Sequence, residues 1–232
     1  MEEQLTGAHL VSAIFAPEET TLTTRRSPGV RGYRWAKSVI DLFVAFLGLL
    51  LTIPIVVLIA VAIRLDSAGP ALFRQQRIGQ HGRPFTIYKF RTMCLDAPKY
   101  SYKVEIGDRR ITRVGRWLRR SGLDELPQLI NVLRGEMSLI GPRPELPFIV
   151  EQYESWQFAR HEVKPGITGW WQIHHRNDVP LHHNLDYDIY YLRNMSPRLD
   201  MTIAWRTLKI MASGALRATR QDRSPTGGTA AR

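Results

Sequence analysis

Between Val39 and Ile63 the chain is almost wholly apolar, with Asp41 its only charge. A run of that length crosses a bilayer as a helix, because about 20 residues rising about 1.5 Å each match a hydrocarbon core about 30 Å thick. Lipid offers no hydrogen bonds, so every amide must be paired inside the segment and helix is the local structure open to it. Ala60-Val61-Ala62 imitates a signal cleavage site. The run is too long for a signal core and starts too late, so a retained membrane segment is expected.

Both flanks of the run are basic. Arg31, Arg34 and Lys37 precede it, and Arg64, Arg74, Arg77, Arg83, Lys89 and Arg91 follow it. Basic flanks favour the cytoplasmic side, and a simple span satisfies only one of them. Pro54 lies near the middle, where it removes a backbone donor and bends a helix. A re-entrant hairpin entering and leaving by one face satisfies both flanks; a kinked spanning helix avoids unpaired backbone in lipid. The residues alone leave the two open.

The ends are polar and mixed, so disordered tails are expected over 1–31 and 215–232, with the membrane helix over 32–65 and one further domain over 66–214. The formal charge of +11 and pI near 10.2 call for a polyanionic neighbour. Nucleic acid, anionic lipid and a phosphorylated substrate satisfy that equally. The single cysteine, Cys94, excludes an internal disulfide and reads as a small buried residue.

Past the membrane run, Ala71 to Arg77 and Phe85 to Met93 read as strands joined by the turn-rich Gly79-Gln80-His81-Gly82-Arg83. Period two puts Ile87, Lys89 and Arg91 on one face. Ile111 to Arg120 carries Ile111, Val114 and Leu118 at helical spacing opposite Arg109, Arg113, Arg116 and Arg120, with Trp117 at the boundary. Beside a hydrophobic run, such a basic amphipathic helix suits a membrane surface. Ser196-Pro197 opens a second amphipathic stretch holding Leu199, Ile203, Trp205, Leu208 and Met211, which Gly214 is expected to close. The fold class is therefore α+β: mostly helical and membrane-associated, with interfacial helices and a small hairpin.

Helix punctuation and acidic chemistry coincide at Ser121-Gly122-Leu123-Asp124-Glu125-Leu126-Pro127. Gly122 breaks the basic helix and Pro127 suits a first turn, so Asp124 belongs near a helix N-terminus. Leu123, Leu126, Ile130 and Leu133 then form a buried stripe and Asp124, Gln128 and Asn131 a polar face, with Gly135 the stop. Free amides at that position keep a carboxylate ionised and draw phosphate close, which suits a nucleophile attacking phosphorus. The plainer reading is an N-cap Asp124 with a first-turn Glu125. Ile140-Gly141-Pro142-Arg143-Pro144-Glu145 is a proline-locked turn presenting a guanidinium suited to phosphate, or more plainly a structural turn with an incidental charge, and Lys164 to Trp170 is a second stiff loop. His174, His175, His182 and His183 lack the spacing of a zinc site and read as a polar loop.

Together these residues resemble the bacterial sugar transferases, the monotopic polyprenyl-phosphate phosphoglycosyl transferases that start exopolysaccharide, capsule and O-antigen assembly. The likeness runs from about Arg34 to Gly214 through Pro54, Gln76-Arg77-Ile78-Gly79, Tyr88-Lys89-Phe90-Arg91-Thr92-Met93, Asp108 to Gly115, Leu123-Asp124-Glu125-Leu126-Pro127-Gln128, Gly141-Pro142-Arg143-Pro144 and Lys164-Pro165-Gly166-Ile167-Thr168-Gly169. It implies a re-entrant helix broken at Pro54, in the bacterial inner membrane, with the catalytic domain facing the cytoplasm. It also implies a ping-pong reaction in which Asp124 attacks the β-phosphate of a UDP-sugar, releases UMP, and yields the sugar-phosphoryl group to polyprenyl phosphate. Asp124 and Glu125 are implied to hold Mg²⁺, and Arg119 and Arg143 to hold phosphate. Lys89 and Arg91 join that expectation through their shared hairpin face.

The implied partners are the donor, the lipid carrier, membrane lipid and other glycan-assembly enzymes or a second copy of the chain, with no nucleic acid. The chain departs from the family pattern at Ile53, where a small polar residue usually precedes the proline, at Ser121-Gly122, and at His174-His175-Arg176-Asn177. Side-chain help at the helix break is then absent or comes from Thr52. Two other readings compete: a membrane-tethered basic binding module, and a glycosyltransferase that attacks the anomeric carbon and releases UDP.

Overall fold

The computed structural model describes residues 28–97, 108–175 and 185–221. In chain order the elements are α1 (Pro28–Asp66), β1 (Leu72–Ile78), β2 (Pro84–Phe90), α2 (Arg113–Ser121), α3 (Leu129–Leu133), β3 (Ser138–Ile140), α4 (Pro147–Val150), β4 (Gly166–Thr168), α5 (Gln172–His175), α6 (Asp186–Asn194) and α7 (Pro197–Gln221). Short 3-10 turns cover Gln80–Gly82, Leu123–Gln128 and Ser155–Glu162.

α1 is the membrane run with extra turns at each end. Only 11% of its most apolar window is buried, and Phe43, Phe46, Leu50, Leu51 and Leu58 stand bare. A continuous apolar surface of this kind needs an apolar cover, so the protein is membrane-associated. The helix is expected to break at Pro54; instead it continues through it. Thr52 Oγ1 donates to Gly48 O at 2.6 Å and reaches Leu49 O at 3.3 Å, supplying polar contacts in the turn where proline removes a donor.

The rest of the chain is fastened along the full length of α1. Near its start, Arg34 Nη2 donates to Glu162 O at 2.5 Å and Lys37 Nζ lies 2.7 Å from Asp200 Oδ2. Asp41, the lone charge of the apolar run, is buried and accepts from Ser138 Oγ at 2.6 Å. Mid-helix, Ala45 packs with Phe85, Ile87, Val132 and Met137. Toward its end, Ile59 and Ile63 join Phe90 and Leu118. Asp66 Oδ2 then accepts the Val114 amide at 3.0 Å, so the last residue of α1 caps the first turn of α2 beside Thr112, whose side chain accepts from Gly115. Both apolar clusters therefore borrow side chains from the membrane helix.

β1 and β2 form the expected antiparallel hairpin, with Phe73 opposite Lys89 and Arg77 opposite Phe85. Its turn places His81 at φ 57° and Gly82 at φ 72°. A second pairing is not evident from the sequence: β3 runs parallel to β4 and brings the two proline-containing loops side by side. The Gly141 amide donates to Thr168 O at 2.9 Å and the Gly166 amide to Pro142 O at 2.8 Å. A Cβ on Gly166 would sit 2.1 Å from Gly141 N, so this approach requires glycine.

α7 is longer than expected. Gly214 does not close it; the helix runs on to Gln221, and Gly214 faces Arg120 O so closely that a Cβ would lie 2.2 Å from that oxygen. The glycine permits two helices to cross. Residues 1–27 and 222–232, the greater part of the expected tails, lie outside the described residues.

Candidate active site

α2 ends as expected, at a left-handed Gly122 (φ 76°) whose amide donates to Leu118 O at 2.8 Å. The next turn is 3-10 rather than α, from Leu123 to Gln128 with Pro127 inside it, and α3 follows. With about three residues per turn the faces rotate relative to an α-helical reading. Leu123 and Leu126 reach the Ile59 cluster, whereas Leu129 and Leu133, not Ile130, reach the Ala45 cluster. The expected polar face divides too. Asn131 is fully buried, accepts the Tyr88 amide at 3.1 Å and donates to Thr86 O and Glu136 Oε2, both at 2.7 Å, so it stitches β2 to α3. Asp124 is not an N-cap: Gly122 holds that position, with no side-chain cap bond.

The hairpin brings Lys89 to this turn, and the turn after β3 brings Arg143. Both donate to Glu125 Oε1, at 3.2 and 3.1 Å. Arg143 is itself held: its carbonyl accepts from the buried Arg160, which lies 2.6 Å from both Asp188 Oδ2 and Tyr153 Oη. Arg77 Nη1 donates to Pro144 O at 3.1 Å, fixing the same turn from the hairpin side. Arg119 arrives from α2, with Nε on Thr92 Oγ1 at 2.8 Å. Its field acts on Asp124, as do those of Lys89 and Arg143.

These surroundings divide the carboxylates. Burial pushes Glu125 up, but Lys89 and Arg143 outweigh it and hold it well below the usual range. Burial, and then the neighbouring Glu125 charge, push Asp124 up to about 6 against the pull of Lys89, Arg119 and Arg143. Burial also pulls Lys89 down to about 8. The Asp124 carboxylate accepts no hydrogen bond among the described residues. One carboxylate is thus locked and ionised, and the other is ringed by cations without being bonded to any.

The structure brings Lys89, Arg119, Asp124, Glu125 and Arg143 together and leaves Arg91 out. Arg91 follows β2, and its guanidinium turns onto the carbonyls of Ala68 and Ser67 and onto Ser67 Oγ, where it secures the chain leaving α1. The shared-face expectation fails because the Arg91 guanidinium is taken up by Ala68 and Ser67, although its amide still donates to Ala71 O. Arg77, Thr92, Arg160 and Asp188 complete the surroundings. Arg77 sits in a motif already noted. Nothing local marks Arg160 and Asp188, whose pairing is purely tertiary.

No group of three or more His, Cys, Asp or Glu arranged for a metal exists among the described residues. The donor set nevertheless fits Mg²⁺ in its usual manner, with one or two carboxylates and the rest from water and substrate phosphate. Lys89 and Arg143 both use Oε1 of Glu125, so its Oε2 and the Asp124 carboxylate remain as donors to a metal. His174 is engaged elsewhere, with Nδ1 2.8 Å from Trp170 O and its ring 4.4 Å from the Trp170 ring. Arg176, Asn177, His182 and His183 lie outside the described residues.

Residues 32–214 match the family model for bacterial sugar transferases. Over 191 residues the chain is 39% identical to the UDP-N-acetylgalactosamine-undecaprenyl-phosphate N-acetylgalactosaminephosphotransferase of Aeromonas hydrophila, covering 78% of this chain and 45% of that protein. It is 41% identical over 184 residues to the uncharacterized sugar transferase EpsL of Bacillus subtilis, covering 79% and 91%. It is also 41% identical over 184 residues to the UDP-glucose:undecaprenyl-phosphate glucose-1-phosphate transferase of Escherichia coli, covering 75% and 40%. The match spans less than half the length of the Aeromonas and Escherichia relatives. The chain belongs to the bacterial sugar transferase family.

Proposed function

We propose, from that membership and from the divided carboxylate pair, that the protein moves a sugar-1-phosphate from a UDP-sugar to polyprenyl phosphate. Asp124 Oδ attacks the β-phosphorus, the bond to the bridging oxygen breaks, and UMP leaves with that oxygen and its electron pair. A phosphate oxygen of the carrier then attacks the same phosphorus and expels Asp124 as carboxylate, leaving the sugar diphosphate on the lipid.

The observation that carries this reading is the contrast between Glu125, locked by Lys89 and Arg143, and Asp124, unbonded among cations. Charge developing on the phosphoryl oxygens meets Arg119 and Arg143 at positions set before substrate arrives. Mg²⁺ would be held by Asp124 and Glu125 and would offset pyrophosphate charge. The backbone carrying Arg143 is pinned, because Arg160 donates to the Arg143 carbonyl and Arg77 to that of Pro144.

The way α1 is fastened supports a re-entrant membrane geometry. Polar contacts of one domain reach both its start, at Arg34 and Lys37, and its end, at Asp66. A helix crossing the bilayer would carry those ends to opposite sides. A re-entrant α1, bent around Thr52 and Pro54, keeps both at the cytoplasmic face, where the donor and the carrier phosphate meet.

The relatives act on different sugars by name, so the donor is open. The test is UMP release by detergent-purified protein given polyprenyl phosphate, Mg²⁺ and a panel of UDP-sugars, with Asp124→Asn alongside. UMP from one donor, absent in the variant, supports the reading. UDP release would instead favour attack at the anomeric carbon, and unchanged turnover in folded Asp124→Asn would exclude Asp124 as nucleophile.

A further inference from the structure

A cavity of about 110 Å³ lies at the start of α1, lined by Arg34, Lys37, Ser38, Asp41, Gln80 and Lys164 among others. At roughly 30 Å³ per water it has room for a few waters or one phosphate group. None of Lys89, Arg119, Asp124, Glu125 and Arg143 is among its lining residues. Leu123 and Leu126, which flank that pair, pack at Ile59 and Ile63. Lys37 and Ile59 are separated by roughly 33 Å of helix at about 1.5 Å per residue.

The charges lining the cavity do not cancel. Asp41 is occupied by Ser138 at 2.6 Å and Lys37 at 3.6 Å, and Lys37 is occupied by Asp200 at 2.7 Å. Arg34 gives one N–H to a neutral carbonyl, that of Glu162, which also accepts from Gln80 Nε2 at 3.0 Å. Lys164 makes no hydrogen bond or ion pair among the described residues. Among the described residues no carboxylate pairs with Arg34 or Lys164, and Ser38 lines the same cavity.

The same stretch of helix has a second character on its other side. Arg34, Lys37, Ser38 and Asp41 share one face at helical spacing, while Trp35, Val39 and Ile40 are 73%, 48% and 59% exposed. An exposed indole beside basic residues, at the end of a bare apolar helix, marks headgroup depth. A phosphate at that depth belongs to a lipid.

We propose that this cavity binds the phosphate of an anionic phospholipid headgroup, with Lys164 and Arg34 as its charge partners and the acyl chains lying along the exposed face of α1. The site is separate from the transfer reaction and does not depend on it.

The test is native mass spectrometry of the full chain in non-ionic detergent, titrated with phosphatidylglycerol, with phosphatidylcholine, and with phosphatidylglycerol against inorganic phosphate. Wild type should retain one phosphatidylglycerol in preference to phosphatidylcholine. Lys164→Gln should weaken that retention about tenfold to a hundredfold, the effect of one charge-assisted hydrogen bond, and Lys164→Arg should restore it. Gln80→Glu, which adds a carboxylate to the lining, should weaken it as well. Unchanged retention in both Lys164→Gln and Gln80→Glu, each with a native circular dichroism spectrum, would overturn the site. Displacement of the lipid by inorganic phosphate at equal concentration would overturn the lipid assignment in favour of a soluble anion.

Discussion

Two clusters in this protein are built from the same parts, one lysine and two carboxylates, and behave in opposite ways. At the start of α1, Lys37 bridges Asp41 and Asp200, and every carboxylate oxygen named there has a bond. Ser138 donates to Asp41, Tyr33 Oη donates to Asp200 Oδ2 at 2.7 Å, and Tyr191 Oη donates to Asp200 Oδ1 at 2.8 Å. Toward the far end, Lys89 meets Glu125 and Asp124, but Glu125 takes the bonds and Asp124 takes none. The first cluster is closed and holds an element in place. The second is open by one carboxylate, and an ionisable group kept unsatisfied among cations is poised for chemistry.

Asp124→Asn should break the comparison most severely, with turnover falling at least a thousandfold and circular dichroism unchanged, as expected when a nucleophile is replaced by an isostere. Lys37→Met strikes the closed cluster and should act on stability instead, lowering it by about 3–5 kcal/mol in denaturant titration because two buried carboxylates lose their cation. Arg143→Lys keeps the charge but loses the planar fork, and should reduce kcat/KM by about tenfold to a hundredfold with little change in melting temperature.

The pH response should separate the paired carboxylates of the open cluster. Asp124 has its pKa raised in the folded protein, so, with Asp124 as the proposed nucleophile, turnover should decline as pH falls through about 6 and the carboxylate protonates. Its ionisation opposes folding above that pH, and the opposition is relieved below it. Glu125 has the reverse sign: its stabilisation is in place above the ordinary glutamate value and is lost as pH falls below that value. The smallest expected effect follows, that Asp124→Asn raises the melting temperature at neutral pH by roughly 2–4 °C for each 1 kcal/mol of relieved repulsion. A variant that is both inactive and destabilised would place Asp124 with the closed cluster.

Much of this was legible in the residues because it is local. The apolar run announces α1, the Gly79–Arg83 stretch announces the hairpin, and Gly122 and Gly135, both at positive φ, stop helices where glycine says they should. Motif resemblance located Asp124, Glu125 and Arg143. What escaped depends on neighbours distant in sequence or on a change of helical pitch. The 3-10 turn at Leu123–Gln128 rotates Ile130 away and Leu129 inward, and a period of 3.6 cannot anticipate that. Arg91 looked like a partner of Lys89 by strand alternation, but its guanidinium is taken up by Ala68 and Ser67. Gly214 looked like a stop because the Arg120 carbonyl it accommodates belongs to another helix.

The membrane helix contributes Ala45, Ile59 and Ile63 to the two apolar clusters that support the Asp124 turn. During synthesis α1 leaves the ribosome before the hairpin, α2 or the Asp124 turn exists. The later segments therefore condense onto a membrane-associated helix, and the carboxylate pair is assembled against it. A chain deprived of α1 would emerge with two apolar grooves and no partner to fill them, a species suited to capture by chaperones rather than to catalysis.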